Sequence, residues 1–349
     1  MVPIGAHKAN ALRGHLDLSW QLITGGPIYD TPPMFGSWWP PFALAALTPF
    51  AVLDRLADGL GRGAFVLASF GLLAWGVVRL PVASRNAAVL AVAAVAGAVQ
   101  RNFENLNLNA PLLAMIVAGA IALERDDERR AGAWFGAAAA LKVFPGLLLV
   151  YLLLRGRWRG AAVGGATGLL LTALSLARYG WSGASQRFET WLALTREGVG
   201  GLLGANQSLA ALIDRLGGGR GVWLVACAAL GAICVAAWRR PRPPVAEVAL
   251  VTLLALFFSP ISWPDAFLLA IPAWALVLAA PPPVHPRVWR AALGLAAFGT
   301  SGVLTFVSRP VRLATFDLSL FTWGTLLLLL LLVIVVPPAK SVGDPVAPP

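Results

Sequence analysis

The chain has 349 residues, of which 58% are hydrophobic and 12% are charged, and its mean hydropathy is +0.75. Soluble domains carry roughly 25% charged residues, so this chain could cover its surface only if lipid replaced water over part of it. The composition therefore excludes a cytosolic enzyme. The formal net charge of +11 does not indicate a nucleic-acid partner, because the basic residues form short clusters between apolar runs, as in the cytoplasmic loops of multi-pass membrane proteins.

The first 40 residues are polar, aromatic and proline-rich, and they contain neither a signal peptide nor an apolar run that could cross a membrane. We expect this segment to lie outside the cytoplasm, so a first helix that carries the chain across is expected upstream of residue 1. Residues 1–62 are interpreted as this outer loop followed by a short amphipathic, membrane-entering helix.

Apolar runs predict the membrane segments that follow, and they cover 63–80, 86–100, 108–123, 161–177, 222–238, 245–258, 266–280, 291–307 and 318–336. One further run, 132–154, has Lys142 and Pro145 in its middle and basic clusters at both ends. It predicts two half-helices that enter and leave the membrane from the same side. The sequence thus predicts an all-α polytopic integral membrane protein with about ten membrane segments, a single domain over 1–336 with its helical bundle over 63–336, and a Pro-rich tail over 337–349.

Basic clusters orient the bundle, because short loops rich in Lys and Arg face the cytoplasm. The clusters are Arg79 with Arg85, Arg125 with Arg129 and Arg130, Arg155 with Arg157 and Arg159, and Arg239 with Arg240 and Arg242. This orientation places 101–107, 178–221, 259–264 and 308–317 on the other side of the membrane.

Three ionisable residues expected on that side or at membrane depth are candidates for chemistry. Asp17 is either a solvated or capping carboxylate or a catalytic group. Lys142 lies inside an apolar run, which indicates a functional site unless the side chain reaches the lipid headgroups. Asp265 precedes an apolar stretch and is either a helix cap or a second carboxylate of the site.

Several polar and aromatic residues accompany these three. They are Tyr29 and Trp39 near the N-terminus, Arg101, Asn107 and Asn109 before a predicted helix, Asn206 and Gln207, and the segment 259–263 that ends in Trp263. The chain has no Walker sequence, no Gly-x-Gly-x-x-Gly after a strand pattern, no His-Glu-x-x-His and no Gly-x-Ser-x-Gly. Nucleotide hydrolysis, zinc hydrolysis and serine acyl transfer therefore have no support in the sequence.

Taken in order, these motifs resemble glycosyltransferase family 87, also known as DUF2029, along nearly the whole chain. An outer-loop Asp, a Gly-x-Pro-x-Tyr stretch and an aromatic-Pro-Pro segment are matched by Asp17, Gly25 to Tyr29, and Trp39 to Phe42. Lys-x-x-Pro is matched by Lys142 to Pro145, Asn-Gln-Ser by 206–208, and Ser-Pro-x-Ser-Trp by 259–263. Of the family's Gly-Gln-x-Asn motif the chain keeps Asn109, and it has Pro264 and Asp265 where members often have His.

The resemblance implies a GT-C fold and transfer of a sugar, typically mannose, from a polyprenyl-phosphate donor to a lipid or glycan acceptor outside the cytoplasmic membrane. The implied reaction needs no metal, cofactor or nucleic acid. It implies Asp17 as the general base, Lys142 and Arg101 at the donor phosphate, and as sugar or acceptor contacts Asn109, Asn206, Gln207, Trp263, Asp265 and Tyr29. Two alternatives stay open at this point: a transporter or lipid flippase, and an inactive relative of the family.

Overall fold

The computed structural model describes residues 4–29, 39–197, 204–238 and 242–336. Within these ranges all regular secondary structure is helical, which confirms the predicted all-α class. The helices are α1 Ile4–Thr24, α2 Pro41–Leu56, α3 Leu60–Arg79, α4 Arg85–Ala93, α5 Ala96–Glu104, α6 Asn109–Glu124, α7 Glu128–Leu141, α8 Leu147–Leu154, α9 Trp158–Leu176, α10 Gly180–Glu197, α11 Leu209–Arg215, α12 Arg220–Trp238, α13 Pro244–Phe258, α14 Ile271–Ala279, α15 Pro286–Ser301, α16 Arg309–Asp317 and α17 Leu320–Val335. Short 3₁₀ helices connect some of them, notably Phe144–Gly146 and Pro264–Ala270.

Two stretches of the described chain are long and apolar enough to cross a membrane: α3, and the stretch Trp158–Thr195 formed by α9 and α10. Helices α16 and α17, bent by 52° at their junction, pass the same test as a pair. Other apolar helices, including α6 and α13, have fewer than 18 residues, whereas a perpendicular crossing needs about 20. The predicted count of about ten membrane segments is therefore not confirmed, and two or three spans are supported.

Helix α13 forms the centre of the bundle. Its residues from Val245 to Phe257 are all buried, so it is surrounded by other helices along its length. Pro244 occupies its first position, where the missing N–H group costs nothing, and the chain turns to an extended conformation at Ser259. Apart from Glu247 and Thr252, α13 is apolar on every side, which fits a helix that has no face exposed to water.

The run 86–100, which the sequence predicts to be one membrane segment, is two short helices instead. Helix α4 ends at Ala93 and α5 begins at Ala96, with Val95 in a non-helical conformation between them. Gly97 lies against the backbone of Ser301, so a β-carbon at position 97 would lie 2.5 Å from the Ser301 carbonyl oxygen. Packing of α5 against the end of α15 thus decides where this stretch bends.

The segment predicted as an outer loop contains the 21-residue helix α1, and α2 follows where a short helix is predicted. Leu12 and Leu16 contact the main core, and Leu18 and Leu22 contact a second, smaller core. These two apolar pairs stabilise a helix in which polar and hydrophobic residues are mixed. Residues 30–38, the Pro-rich tail, and the basic residues Arg239 and Arg240 lie outside the described residues.

Helices α7 and α9 pack with their backbones in direct contact, and this contact holds the first half and the middle of α7. A β-carbon added at Gly132 or Gly136 would collide with the carbonyl oxygen of Gly160 or Gly164, respectively. Two small residues spaced four apart on each helix create this close approach.

Candidate functional site

The chain reverses direction at Lys142. Helix α7 ends at Leu141, Lys142 is extended, and the 3₁₀ turn Phe144–Gly146 with its proline leads into α8. The far ends of the two helices lie close together, because Arg157 after α8 pairs with Asp126 before α7 at 3.5 Å. The run 132–154 is therefore a helical hairpin broken at Lys142, as its sequence predicts.

The ammonium group of Lys142 is held by two amide side chains. Its Nζ donates to Oδ1 of Asn107 at 2.9 Å and to Oδ1 of Asn109 at 2.7 Å. Nδ2 of Asn109 donates in turn to Oδ2 of Asp265 at 2.8 Å. Asn109 and Asp265 are fully buried, so an amide bridges a cation and an anion inside the protein. We call Lys142, Asn107, Asn109 and Asp265 the lysine network.

Ends of secondary-structure elements meet at this network. Helix α6 begins at Asn109, the 3₁₀ helix Pro264–Ala270 begins beside Asp265, and α7 ends before Lys142. Asn107 reaches Lys142 from a tight turn in which Leu106 adopts a left-handed conformation with φ of 51°. A carboxylate in the first turn of a helix is favoured by the free N–H groups there, which suits Asp265 to its position.

Beside Lys142 lies a cavity of about 620 Å³, within the usual range for small-molecule sites. Trp39 and Trp263 line it together with apolar residues of the hairpin and of α13, including Phe144 and Phe258. A cation at the edge of an apolar, aromatic cavity suits a ligand that has an anionic group and an apolar or sugar part. We call this space the lysine cavity.

His15 supports the aromatic wall of the lysine cavity from behind. Its ring stacks on Trp39 with centroids 3.6 Å apart, and the Tyr29 hydroxyl donates to the Trp39 carbonyl oxygen at 2.9 Å. Burial, and to a smaller extent the charge of Lys142, lower the pKa of His15 to about 3. The ring is therefore neutral at physiological pH. Burial raises the pKa of Tyr29 well above its usual value, so its hydroxyl stays protonated as a donor.

Asp17 does not line the lysine cavity. It lies two residues after His15 on α1, and side chains two apart on a helix point in different directions. Its carboxylate pairs with Arg55 at 2.8 Å, and both side chains are 52% exposed. The structure therefore does not bring together the two residues that the sequence predicts as base and phosphate ligand.

Asn206 and Gln207 hold the loop that carries Trp263. The Asn206 side chain donates to the Pro260 carbonyl and accepts from the Ser262 N–H, both at 2.9 Å. The backbone N–H of Gln207 donates to the Ser262 carbonyl at 2.7 Å. Both side chains are buried, so their contacts in this structure shape the cavity wall from outside.

Arg101 lies outside the lysine cavity, although its charge interacts with that of Asp265. Its guanidinium is stacked over the ring of Phe316, 4.8 Å from the centroid, and it does not line the cavity. Of the predicted site residues, the structure thus brings together Lys142, Asn109, Asp265 and Trp263, with Tyr29 behind Trp39. It leaves Asp17 and Arg101 outside this group.

Two residues of the site had no role assigned to them from the sequence. Asn107 binds Lys142 directly, and its presence in a polar run two residues before Asn109 was the available signal. His15 was recognisable only as a neighbour of Asp17, because its partner Trp39 is 24 residues away in the sequence.

Comparison with known proteins gives one family. The profile of glycosyltransferase family 87 matches residues 38–260. Two curated relatives are each named polyprenol-phosphate-mannose-dependent alpha-(1-2)-phosphatidylinositol mannoside mannosyltransferase. The protein of Mycolicibacterium smegmatis is 28% identical over 64% of this chain and 58% of its own length. The protein of Mycobacterium tuberculosis is 27% identical over 72% of this chain and 64% of its own length.

The chain thus spans less than two thirds of the length of these relatives. No solved structure matches it significantly. The family match covers well over half of the chain and includes Trp39, the two asparagines at Lys142, Lys142 itself and the Asn-Gln-Ser segment. The chain belongs to glycosyltransferase family 87.

Proposed function

We propose that this protein is a membrane mannosyltransferase that transfers mannose from a polyprenyl-phosphate donor to a lipid or glycan acceptor on the extracytoplasmic side of the cell membrane. The observation that carries the proposal is the Lys142 ammonium group, held by two asparagines beside a largely apolar cavity that three tryptophans line. Both curated relatives are named for this donor and for phosphatidylinositol mannoside as acceptor, so a mannosylated lipid is the first acceptor to test.

Lys142 is placed to bind the donor phosphate. When the bond between the sugar and the phosphate breaks, negative charge grows on the leaving phosphate, and a fixed cation stabilises it. Asn107 and Asn109 orient the ammonium group, and Asp265 balances its charge through Asn109. The tryptophans offer flat apolar faces against which a sugar ring can stack.

Asp17 is proposed as the group that takes the proton of the acceptor hydroxyl. It is the better candidate of the two carboxylates because half of its side chain is exposed, so that an acceptor can reach it, whereas Asp265 is buried and bound to Asn109. A general base needs to be within hydrogen-bond distance of the acceptor hydroxyl in the substrate complex. Catalytic hydrogen bonds that are long or absent in the ligand-free protein often form only in that complex. This role requires the Asp17–Arg55 pair to rearrange when donor and acceptor bind.

The proposal is tested by following labelled mannose from polyprenyl-phosphate mannose into lipid in membranes that contain the protein. We expect transfer by the wild type, and a loss of about 10² to 10³-fold for Lys142→Ala at equal protein level. Transfer by Lys142→Ala at the wild-type rate would contradict the role of Lys142. Movement of the donor across the membrane without transfer would favour a flippase, and neither activity would indicate an inactive member of the family.

Asp17 is tested by Asp17→Asn with Asp58→Asn as the matched control. Asp58 is also an exposed carboxylate that pairs with an arginine, Arg62, at 2.8 Å. We expect Asp17→Asn to lower the transfer rate by about 10² to 10⁴-fold and Asp58→Asn to leave it unchanged. Equal activity of the two variants would remove Asp17 from the mechanism.

A further inference from the structure

A second cavity, of about 610 Å³, lies outside the lysine cavity between α3, α6 and α7. Its long wall is apolar and includes Trp75 of α3, Met115 and Ala118 of α6, and Trp134 of α7. The two tryptophans are each about 40% exposed, so the cavity is an open groove on the side of the bundle. We call it the α6 groove.

Two arginines line one end of the α6 groove, within the segment 124–130, which has four acidic and three basic residues. Arg125 follows the last residue of α6, Arg130 lies in the first turn of α7, and both line the groove. Both are exposed, and within the described residues neither guanidinium makes a hydrogen bond or an ion pair. Asp127 also lines this end, but its carboxylate accepts from the Arg130 backbone N–H at 2.9 Å as the cap of α7. Two guanidinium groups are therefore free to bind an anion there.

This end of the groove points away from the lysine network. Helices α6 and α7 form a hairpin, since Asn109 at the start of α6 contacts Lys142 at the end of α7. The groove extends along α6 from Pro111 to Arg125, which is about 21 Å at 1.5 Å per residue. A ligand whose phosphate lies at Arg125 and Arg130 is thus separate from a donor whose phosphate lies at Lys142.

We propose that the α6 groove binds an anionic phospholipid of the bilayer, with an acyl chain along α6 and its phosphate between Arg125 and Arg130. The groove is longer than one leaflet of hydrocarbon, about 15 Å, and its mouth is apolar where lipid chains would enter. Basic residues near a membrane surface attract anionic headgroups by about 1 kcal/mol each. The lipid would bridge α3, α6 and α7, and the inference stands independently of the sugar chemistry proposed for Lys142.

The test measures lipid retained by the purified full-length protein, by native mass spectrometry, after addition of phosphatidylglycerol or of phosphatidylcholine with the same acyl chains. We expect the wild type to retain phosphatidylglycerol preferentially. The double variant Arg125→Gln/Arg130→Gln should weaken that retention by roughly 30-fold, the effect of two such charges. The control Arg129→Gln/Arg159→Gln removes the same charge from exposed positions that do not line the groove and should behave as wild type.

Equal retention of the two lipids by the wild type, or equal weakening by the two double variants, would overturn the inference. The acyl chain is tested separately by Ala118→Trp, which fills the groove, against Leu169→Trp on the exposed side of α9. We expect only Ala118→Trp to lower retention of phosphatidylglycerol. No effect of either substitution, at unchanged melting temperature, would show that the chain lies elsewhere.

Discussion

The bridge from Lys142 through Asn109 to Asp265 predicts that removal of one charge destabilises the protein and that removal of both restores stability. In Lys142→Met, the carboxylate of Asp265 stays buried and loses the cation to which Asn109 links it, so that of the two cations Lys142 and Arg101 only Arg101 still interacts with it. Loss of one partner of a buried pair costs about 3 to 5 kcal/mol, whereas replacing both partners is often neutral. Lys142 is only half-buried and is separated from Asp265 by one amide, so we expect a loss at the lower end, about 3 kcal/mol.

The assay is thermal unfolding of purified protein in detergent, combined with mannose transfer. For a chain of 349 residues, a loss of about 3 kcal/mol corresponds to a decrease of roughly 4 °C in the melting temperature. We expect Lys142→Met to show this decrease and Lys142→Met/Asp265→Asn to recover at least half of it. Transfer should be lost in both, because neither has a cation for the donor phosphate.

Two results would refute this reasoning. Asp265→Asn alone lowers stability by some amount. If adding Asp265→Asn to Lys142→Met lowered stability by that same amount, the effects would be additive and the two charges would not be coupled. If the double variant regained transfer, the loss in Lys142→Met would come from misfolding, and Lys142 would not act on the donor.

Two other predictions concern residues that support the site. The pKa of His15 is about 3 in the folded protein and 6.5 in the unfolded chain. Below pH 6.5 the unfolded state therefore binds more protons than the folded state, so acidification favours unfolding. The protein should lose about 2 kcal/mol of stability as the pH falls from 7 to 5. In His15→Phe, which keeps an aromatic ring stacked on Trp39, this part of the pH dependence of the melting temperature should disappear. If it persisted, His15 would not be the group that causes it. Gly136→Leu should destabilise the protein by about 1 to 3 kcal/mol, because its side chain would collide with the backbone of Gly164. Gly165→Leu has open space around it and should have little effect on the melting temperature.

The apolar runs of the sequence locate many of the helices to within a few residues. The run 108–123 is α6, Asn109–Glu124, and the run 245–258 is α13, Pro244–Phe258. The break at Lys142 was also predictable, because Pro145 cannot continue a helix and a lysine inside an apolar run needs a polar partner. The partners were only partly predictable, since Asn109 and Asp265 are 156 residues apart and each resembles an ordinary helix cap in its own segment.

The bend between α4 and α5 had no local signal. The run 86–100 has no proline, and its glycine, Gly97, lies after the bend. Tertiary contact decides it, through the close approach of Gly97 to Ser301. Helix α1 was missed because polar residues interrupt its hydrophobic ones. Its stability comes from two leucine pairs, Leu12 with Leu16 and Leu18 with Leu22, that face two different cores.

The position of Lys142 depends on contacts of both arms of the broken hairpin. At the end remote from the cavity, buried Glu247 of α13 accepts hydrogen bonds from the Tyr151 hydroxyl at 2.8 Å and from Nε of Arg155 at 3.0 Å. These bonds attach the end of α8 to the central helix, just as the glycine contacts attach α7 to α9. With both arms held, the extended residue between them has little freedom to move. The positive charge is therefore held in place without a ligand. The role proposed for Lys142 at the donor phosphate requires such preorganisation, because it makes an electrostatic contact effective in a transition state.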